Sequence, residues 1–174
     1  MLEARPCPVP RQAGVYGWYF RDIPCKTNTS GCVRFGDLTL LYVGISPAAP
    51  PRNGSRPSEQ TIRSRLQTHY RGNASRSTLR MSLGVLLGLR LGATGSGRLN
   101  FGDHEPCLDK WMANNAFVTW AMTAEQWEAE HELINTLDVP LNLDGNSHHA
   151  FRPELSRLRR EAREAARGSG PRPA

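Results

Sequence analysis

Gly14-Val15-Tyr16-Gly17-Trp18-Tyr19-Phe20 is the stretch that decides the fold. From Val15 to Phe20 it is an apolar run of β-branched and aromatic residues, which favours extended chain. A second run of this kind, Leu38-Thr39-Leu40-Leu41-Tyr42-Val43-Gly44, follows it. The first opens on Gly14-Val15-Tyr16 and the second closes on Tyr42-Val43-Gly44, which are near mirror images. A glycine beside a strand tyrosine leaves backbone room for a close approach. Two phenols converging on a glycine-lined floor would make a polar site on a rigid support.

Working outward, Arg21 to Asp37 holds Pro24, Asn28, Ser30 and Gly31, so a decorated loop joins the two strands. Pro47 to Pro57 is rich in Pro, Gly and Ser and reads as a loop. Ser58 is expected to cap a helix running to about Tyr70, with Glu59 in its first turn. Arg71 to Arg76 is a basic loop. Ser77 caps a second expected helix, with Leu79, Leu83, Leu86 and Leu87 at helical spacing. Gly92 to Asp103 is glycine-rich and irregular, and a short helix follows over about Glu105 to Asn114.

Ala116 to Met122 is apolar on both alternating sets, a pattern that predicts a central strand covered on both faces. Thr123 begins a helix to about Leu137, with Gln126 completing a capping box and Pro140 beyond its end. Pro153 to Arg167 reads as a charged helix. The expected fold is α+β, a small, mostly antiparallel three-stranded sheet flanked by helices. The expected organisation is an irregular arm at 1–12, a single domain at 13–150, the charged helix at 151–167 and a disordered tail at 168–174.

The net charge is +6 and the pI about 9.6, a balance that favours anionic partners. The cations are nearly all arginine, with Lys26 and Lys110 the exceptions. Arginine suits phosphate oxygens, although GC-rich coding would give the same excess. Arg52, Arg56, Arg63, Arg65, Arg71, Arg76 and Arg80 face only Glu59 in their stretch, which marks a phosphate-facing surface. Arg63, Arg71, Arg76 and Arg80 are the expected nucleic-acid contacts. The later cluster, Arg152 to Arg167, is interleaved with Glu154, Glu161 and Glu164 and reads mainly as a solvated, ion-paired helix face. Cys7, Cys25, Cys32 and Cys107 lack zinc-site spacing. Met1 to Pro10 has no apolar signal core and no segment reaches membrane-spanning length, so the expectation is cytoplasmic, without membrane contact.

Two helices carry polar groups where apolar ones belong. On the Thr123 helix, Trp127, Leu133, Ile134 and Leu137 form a stripe that includes Glu130. A carboxylate there is costly unless it is paired, protonated or bound to metal. It is therefore either a metal ligand or catalytic group, or the partner of a core-edge arginine. On the Ser58 helix, Arg65 and His69 sit together beside Ile62 and Leu66. Spacing alone favours an ordinary amphipathic edge; the alternative is a phosphate-binding and proton-handling pair. Asn142, between two leucines after Pro140, could hydrogen-bond a loop or hold a site residue. His148 and His149 point apart as strand neighbours would and are secondary.

Together these residues resemble the GIY-YIG nuclease family. Gly14-Val15-Tyr16 and Tyr42-Val43-Gly44 look like its two name motifs, with valine for isoleucine in each. Arg65 matches the family arginine after the second motif, and His69 a histidine found one turn later in some members. Glu130 looks like the metal-binding glutamate, and Asn142 like the closing asparagine. The resemblance spans roughly Gly14 to Asn146. The loop between the tyrosine motifs is longer than in minimal members, and Ser77 to Asp103 looks enlarged. With no appended DNA-binding domain recognisable, the chain resembles the compact restriction-enzyme and stand-alone bacterial branches.

The resemblance implies a metal-dependent DNA endonuclease in which Glu130 holds Mg²⁺ or Mn²⁺ and Arg65 neutralises the phosphate. Tyr16 would position or deprotonate the attacking water, with Tyr42 and His69 assisting. The partner is DNA, and a homodimer is left open. The alternative is a nucleic-acid-binding or interaction module that keeps the fold and does not cleave.

Overall fold

The computed structural model describes residues 2, 4–50 and 58–168. The expected disordered tail beyond Gly168, most of the 47–57 loop, and Arg52 and Arg56 lie outside these residues.

Three long strands form the sheet: β1 (Gly14–Phe20), β3 (Leu38–Ser46) and β6 (Ala116–Met122). A two-residue strand, β2 (Arg34–Phe35), makes a fourth, in the order β2-β3-β1-β6. All pairings are antiparallel, with Tyr16 opposite both Gly44 and Trp120. The sheet is therefore four-stranded rather than three-stranded; β2 is too short to show a periodicity of its own.

β6 has the expected bounds but lies at an edge. Phe117 and Met122 are exposed, while Val118 and Trp120 pack inward. Arg21 lies 4.9 Å over the Phe117 ring and gives that outer face a polar cover. The doubly apolar pattern had suggested a central strand; those positions are β1 and β3.

One face of the sheet packs Trp18, Phe20 and Leu41 against residues of α1 (Ile62–Arg71), α2 (Thr78–Leu86), α3 (Glu105–Asn115) and α5 (Arg152–Gly168). The other packs Leu40 and Val43 against Ile134 of α4 (Gln126–Thr136) and Val139. A hairpin, β4 (Gly92–Ala93) and β5 (Leu99–Asn100), occupies the region expected to be irregular.

Helix starts depart from the expected caps. Thr61, not Ser58, caps α1 and forms a reciprocal box with Ser64. The Ser58 hydroxyl instead accepts from Gln60 N in a local turn. The next two α1 amides donate outward, Ile62 to Gln12 O and Arg63 to Pro10 O. The irregular arm thus satisfies donors that a helix leaves open. Ser77 caps α2 as expected. Thr123 makes a local turn to Glu125 N rather than a capping box, and α4 begins only at Gln126. The ion-paired face expected of the last helix exists at Arg157, but its opposite face is different in character.

Candidate functional site

Tyr16, Trp18, Tyr42 and Gly44 share one sheet face, because Tyr16 pairs with Gly44 and Trp18 with Tyr42. A Cβ on Gly44 would lie 2.6 Å from the Tyr16 oxygen and 2.7 Å from its Cζ. The glycine of the second tripeptide is therefore the floor for the phenol of the first. Gly14 is constrained differently: its Cβ would meet Ala121 O on β6 at 2.1 Å.

His69 of α1 sits among the Tyr16, Trp18 and Tyr42 rings, with centroids 5.5, 6.3 and 5.8 Å away. The Tyr16 hydroxyl lies 2.7 Å from His69 Nε2, and His69 Nδ1 lies 2.7 Å from Ser77 Oγ. Ser77 Oγ also accepts the capping bond from Arg80 N. We assign the tautomer in which Nδ1–H donates to Ser77, leaving Nε2 to accept from Tyr16. Burial first, then Arg65 and Arg80, hold the His69 pKa well below its ordinary value, so the ring is neutral.

Arg65 lies one turn before His69 on α1, half-buried and facing both phenols, with Nη1 donating to Arg76 O at 3.2 Å. Burial lowers its pKa, but Tyr16 and Tyr42 more than offset this and the net shift is upward. Burial pushes the Tyr42 phenol up to about 12. The Tyr16 phenol is likewise held well above its ordinary value, by burial and then by the nearby Tyr42, against the pull of Arg65.

These groups open into a groove of about 740 Å³ lined by Tyr16, Tyr42, Arg65, Glu130, Asn142 and Asp144. Glu130 projects into it from α4, with no salt bridge to an arginine among the described residues. Burial raises its pKa, Arg65 opposes the shift, and Asp144 reinforces it. Trp127 is not core as its stripe position suggested. It is exposed, lines the groove and donates from Nε1 to Pro47 O.

Asn142 has a structural part as well. Its amide brackets Val43, with Oδ1 accepting from Val43 N and Nδ2 donating to Val43 O, each at 2.9 Å. Leu141 N donates to Leu41 O beside it. The loop after Pro140 is thereby fixed along β3.

The expected phosphate contacts fall differently. Arg80 is 0 % exposed, and its guanidinium donates to the carbonyls of His69 and Tyr70 at the end of α1. It also lies 2.5 Å from Glu105 and 2.8 Å from Asp109, the latter contact being out of hydrogen-bond line. Buried, and bound through both Nη atoms with Nε left unpartnered, Arg80 is a strut between α1, α2 and α3 and not a surface contact. Arg63 spends its fork on Val9 O and Cys7 O of the arm. Arg71 is exposed, 5.7 Å over the Tyr70 ring, and Arg76 is exposed beside Arg65.

Asp144 and Ser77 were not read as site residues. Asp144 sits in a turn with no periodicity to mark it. Ser77 was legible only as a helix cap, and its second bond to His69 depends on how α1 and α2 pack.

Two phenols, a neutral imidazole, a guanidinium and a carboxylate around one groove make a site for proton transfer beside an anion. The chain belongs to the GIY-YIG family: a family model described as "GIY-YIG catalytic domain" matches residues 14–161. The family is one of nucleases, and the match reaches from β1 into α5. Comparison with curated proteins and with solved structures returns no match. No described helix is long and apolar enough to cross a membrane.

Proposed function

We propose that the protein is a divalent-metal-dependent DNA endonuclease that hydrolyses phosphodiester bonds in the groove between α1 and α4. The observation that carries this reading is the 2.7 Å contact of Tyr16 with neutral His69 beside Arg65, in the same groove as Glu130.

The donor set fits a hard cation. Glu130 is a half-buried carboxylate without an ion pair among the described residues, and Asp144 is near enough to raise its pKa. Among the described residues no cluster of three or more His, Cys, Asp or Glu could ligate one ion. One or two carboxylate oxygens with retained waters suit Mg²⁺ or Mn²⁺. When bound, such an ion supplies electrostatic stabilisation of charge on the leaving oxygen.

Arg65 binds the phosphate and faces the charge that develops there. Tyr16 takes the proton of the attacking water while passing its own to His69 Nε2. The buried ring resists becoming an imidazolium beside two guanidiniums, so transfer is coupled to the arrival of the anionic substrate next to Arg65. Ser77 holds the ring in its tautomer. Tyr42, with its phenol raised to about 12, stays protonated and orients the phosphate with Arg65. Asn142 keeps β3, and so Tyr42, in place.

The test is plasmid nicking with Mg²⁺ or Mn²⁺ against an EDTA control. Metal-dependent nicking is expected of the wild type and none of Glu130→Ala. Absence of metal-dependent nicking by the wild type, or its full retention in Glu130→Ala, would falsify the reading.

A further inference from the structure

Helix α5 has two unlike faces. On one, Arg157 is paired with Glu154 at 2.7 Å and Glu161 at 2.6 Å. On the other, Arg152, Arg159, Arg163 and Arg167 recur at spacings that keep them on one side of a helix. This second face lines concavities that continue the site groove. The groove shares Thr78 and Asp144 with a cleft of about 300 Å³. That cleft shares Arg159 and Arg163 with one of about 500 Å³. Arg76 and Arg98 link the latter to a further cleft of about 400 Å³ against the β4–β5 hairpin.

We propose that this trough is a track for the DNA backbone, in which phosphates flanking the scissile bond run from the site groove along α5 to the β4–β5 hairpin. The contacts are Arg163, Arg167, Arg98 and Arg76 along the walls, with Arg159 in the floor. The proposal rests on the nuclease reading for the identity of the chain being held.

Two observations point to an anion. Asp144, at the site end, is the only carboxylate among the described residues that line the trough beyond the groove. Among the described residues, none of Arg98, Arg163 and Arg167 forms a salt bridge. Second, Arg159 is 7 % exposed and lines both α5 clefts, yet its Nε has no partner and its one side-chain bond is Nη1 to Ser82 Oγ at 3.2 Å. Burial and then the neighbouring Arg163 push its pKa down to about 10. A buried cation next to another cation, with an orphaned donor, is costly until an anion satisfies it. Continuity with the groove of Arg65 and Glu130 favours a nucleic-acid backbone over an acidic protein.

The experiment is fluorescence anisotropy of a labelled duplex in EDTA over a range of salt. Arg98→Ala, Arg163→Ala and Arg167→Ala are each expected to weaken binding several-fold. Each is also expected to flatten the slope of log K on log salt by about 0.9. Arg157→Ala, on the paired face, is expected to match wild type. The proposal is overturned if the triple variant keeps wild-type affinity and slope, if the wild type does not bind the duplex, or if the substitutions abolish binding of polyglutamate and leave DNA binding intact. Arg98→Ala, on a hairpin outside the core, keeps the test usable if the helix variants lose stability. Nicking is scored separately: a triple variant that loses DNA binding while wild type never nicks sinks the nuclease reading and leaves the track standing.

Discussion

Gly44→Ala tests the fit of the two tripeptides. The new Cβ would lie 2.6, 2.7 and 3.0 Å from three atoms of the Tyr16 ring, which is itself 2 % exposed. Ordinary contact begins at 3.4 Å, so the phenol must retreat by roughly 0.8 Å. The phenol is held at hydrogen-bond distance from His69, whose side chain is fully buried, so its retreat must disturb that contact. Overpacking of this kind costs about 1–3 kcal/mol, which for a chain of this size lowers Tm by about 2–12 °C. A sub-ångström shift of a proton-transferring group is also expected to lower nicking by about 100-fold. Gly17→Ala is the matched control: its nearest contact is the Leu40 Cδ1 methyl at 3.0 Å, a flexible side-chain end. Thermal unfolding and plasmid nicking measure both effects. A Gly44→Ala protein with wild-type Tm and wild-type nicking would refute the reasoning.

Arg80→Met should destabilise the fold by about 3–5 kcal/mol, because Glu105, Asp109 and the α1 carbonyls lose a buried partner; urea unfolding reads this, and a change confined to DNA affinity would contradict it. Glu130→Gln should raise Tm at pH 7–8 by about 1–2 °C while abolishing nicking. The sign follows from the raised carboxyl pKa: the folded state binds the proton more tightly, so stability falls as pH rises from about 4.5 through the folded value. The gain of the Gln variant should therefore vanish near pH 4, and a gain independent of pH would count against burial of the ionised carboxylate.

β1, β3 and β6 were legible because composition and length both mark them, and Ser77 because a capping serine precedes a leucine-periodic run. Glu130, Arg65 and the two tyrosines drew notice for chemistry at odds with their surroundings, and the fold brings them to one groove. What was hidden depends on tertiary partners. The edge position of β6 is set by the sheet order, which leaves no mark in the residues of the strand. Thr61 rather than Ser58 starts α1 because the arm supplies acceptors just there. Arg80 reads like any other member of its basic stretch until Glu105, far along the chain, is found beside it. The two faces of α5 already differ in spacing, Glu154, Arg157 and Glu161 on one side and Arg152, Arg159, Arg163 and Arg167 on the other; what depends on tertiary packing is that the second face meets α2 and the hairpin and lines their clefts.

The amide of Asn142 on Val43 has a consequence for self-association. β2 and Val33 cover only the first residues of β3, and beyond Leu40 the outer edge of β3 would present the open main-chain donors and acceptors on which a strand of another copy could add. Asn142 occupies both polar atoms of Val43, and Leu141 takes the carbonyl of Leu41. A side chain thus ends the sheet at the β3 edge where a strand would have let it grow, and the residue that borders the groove also blocks strand addition there.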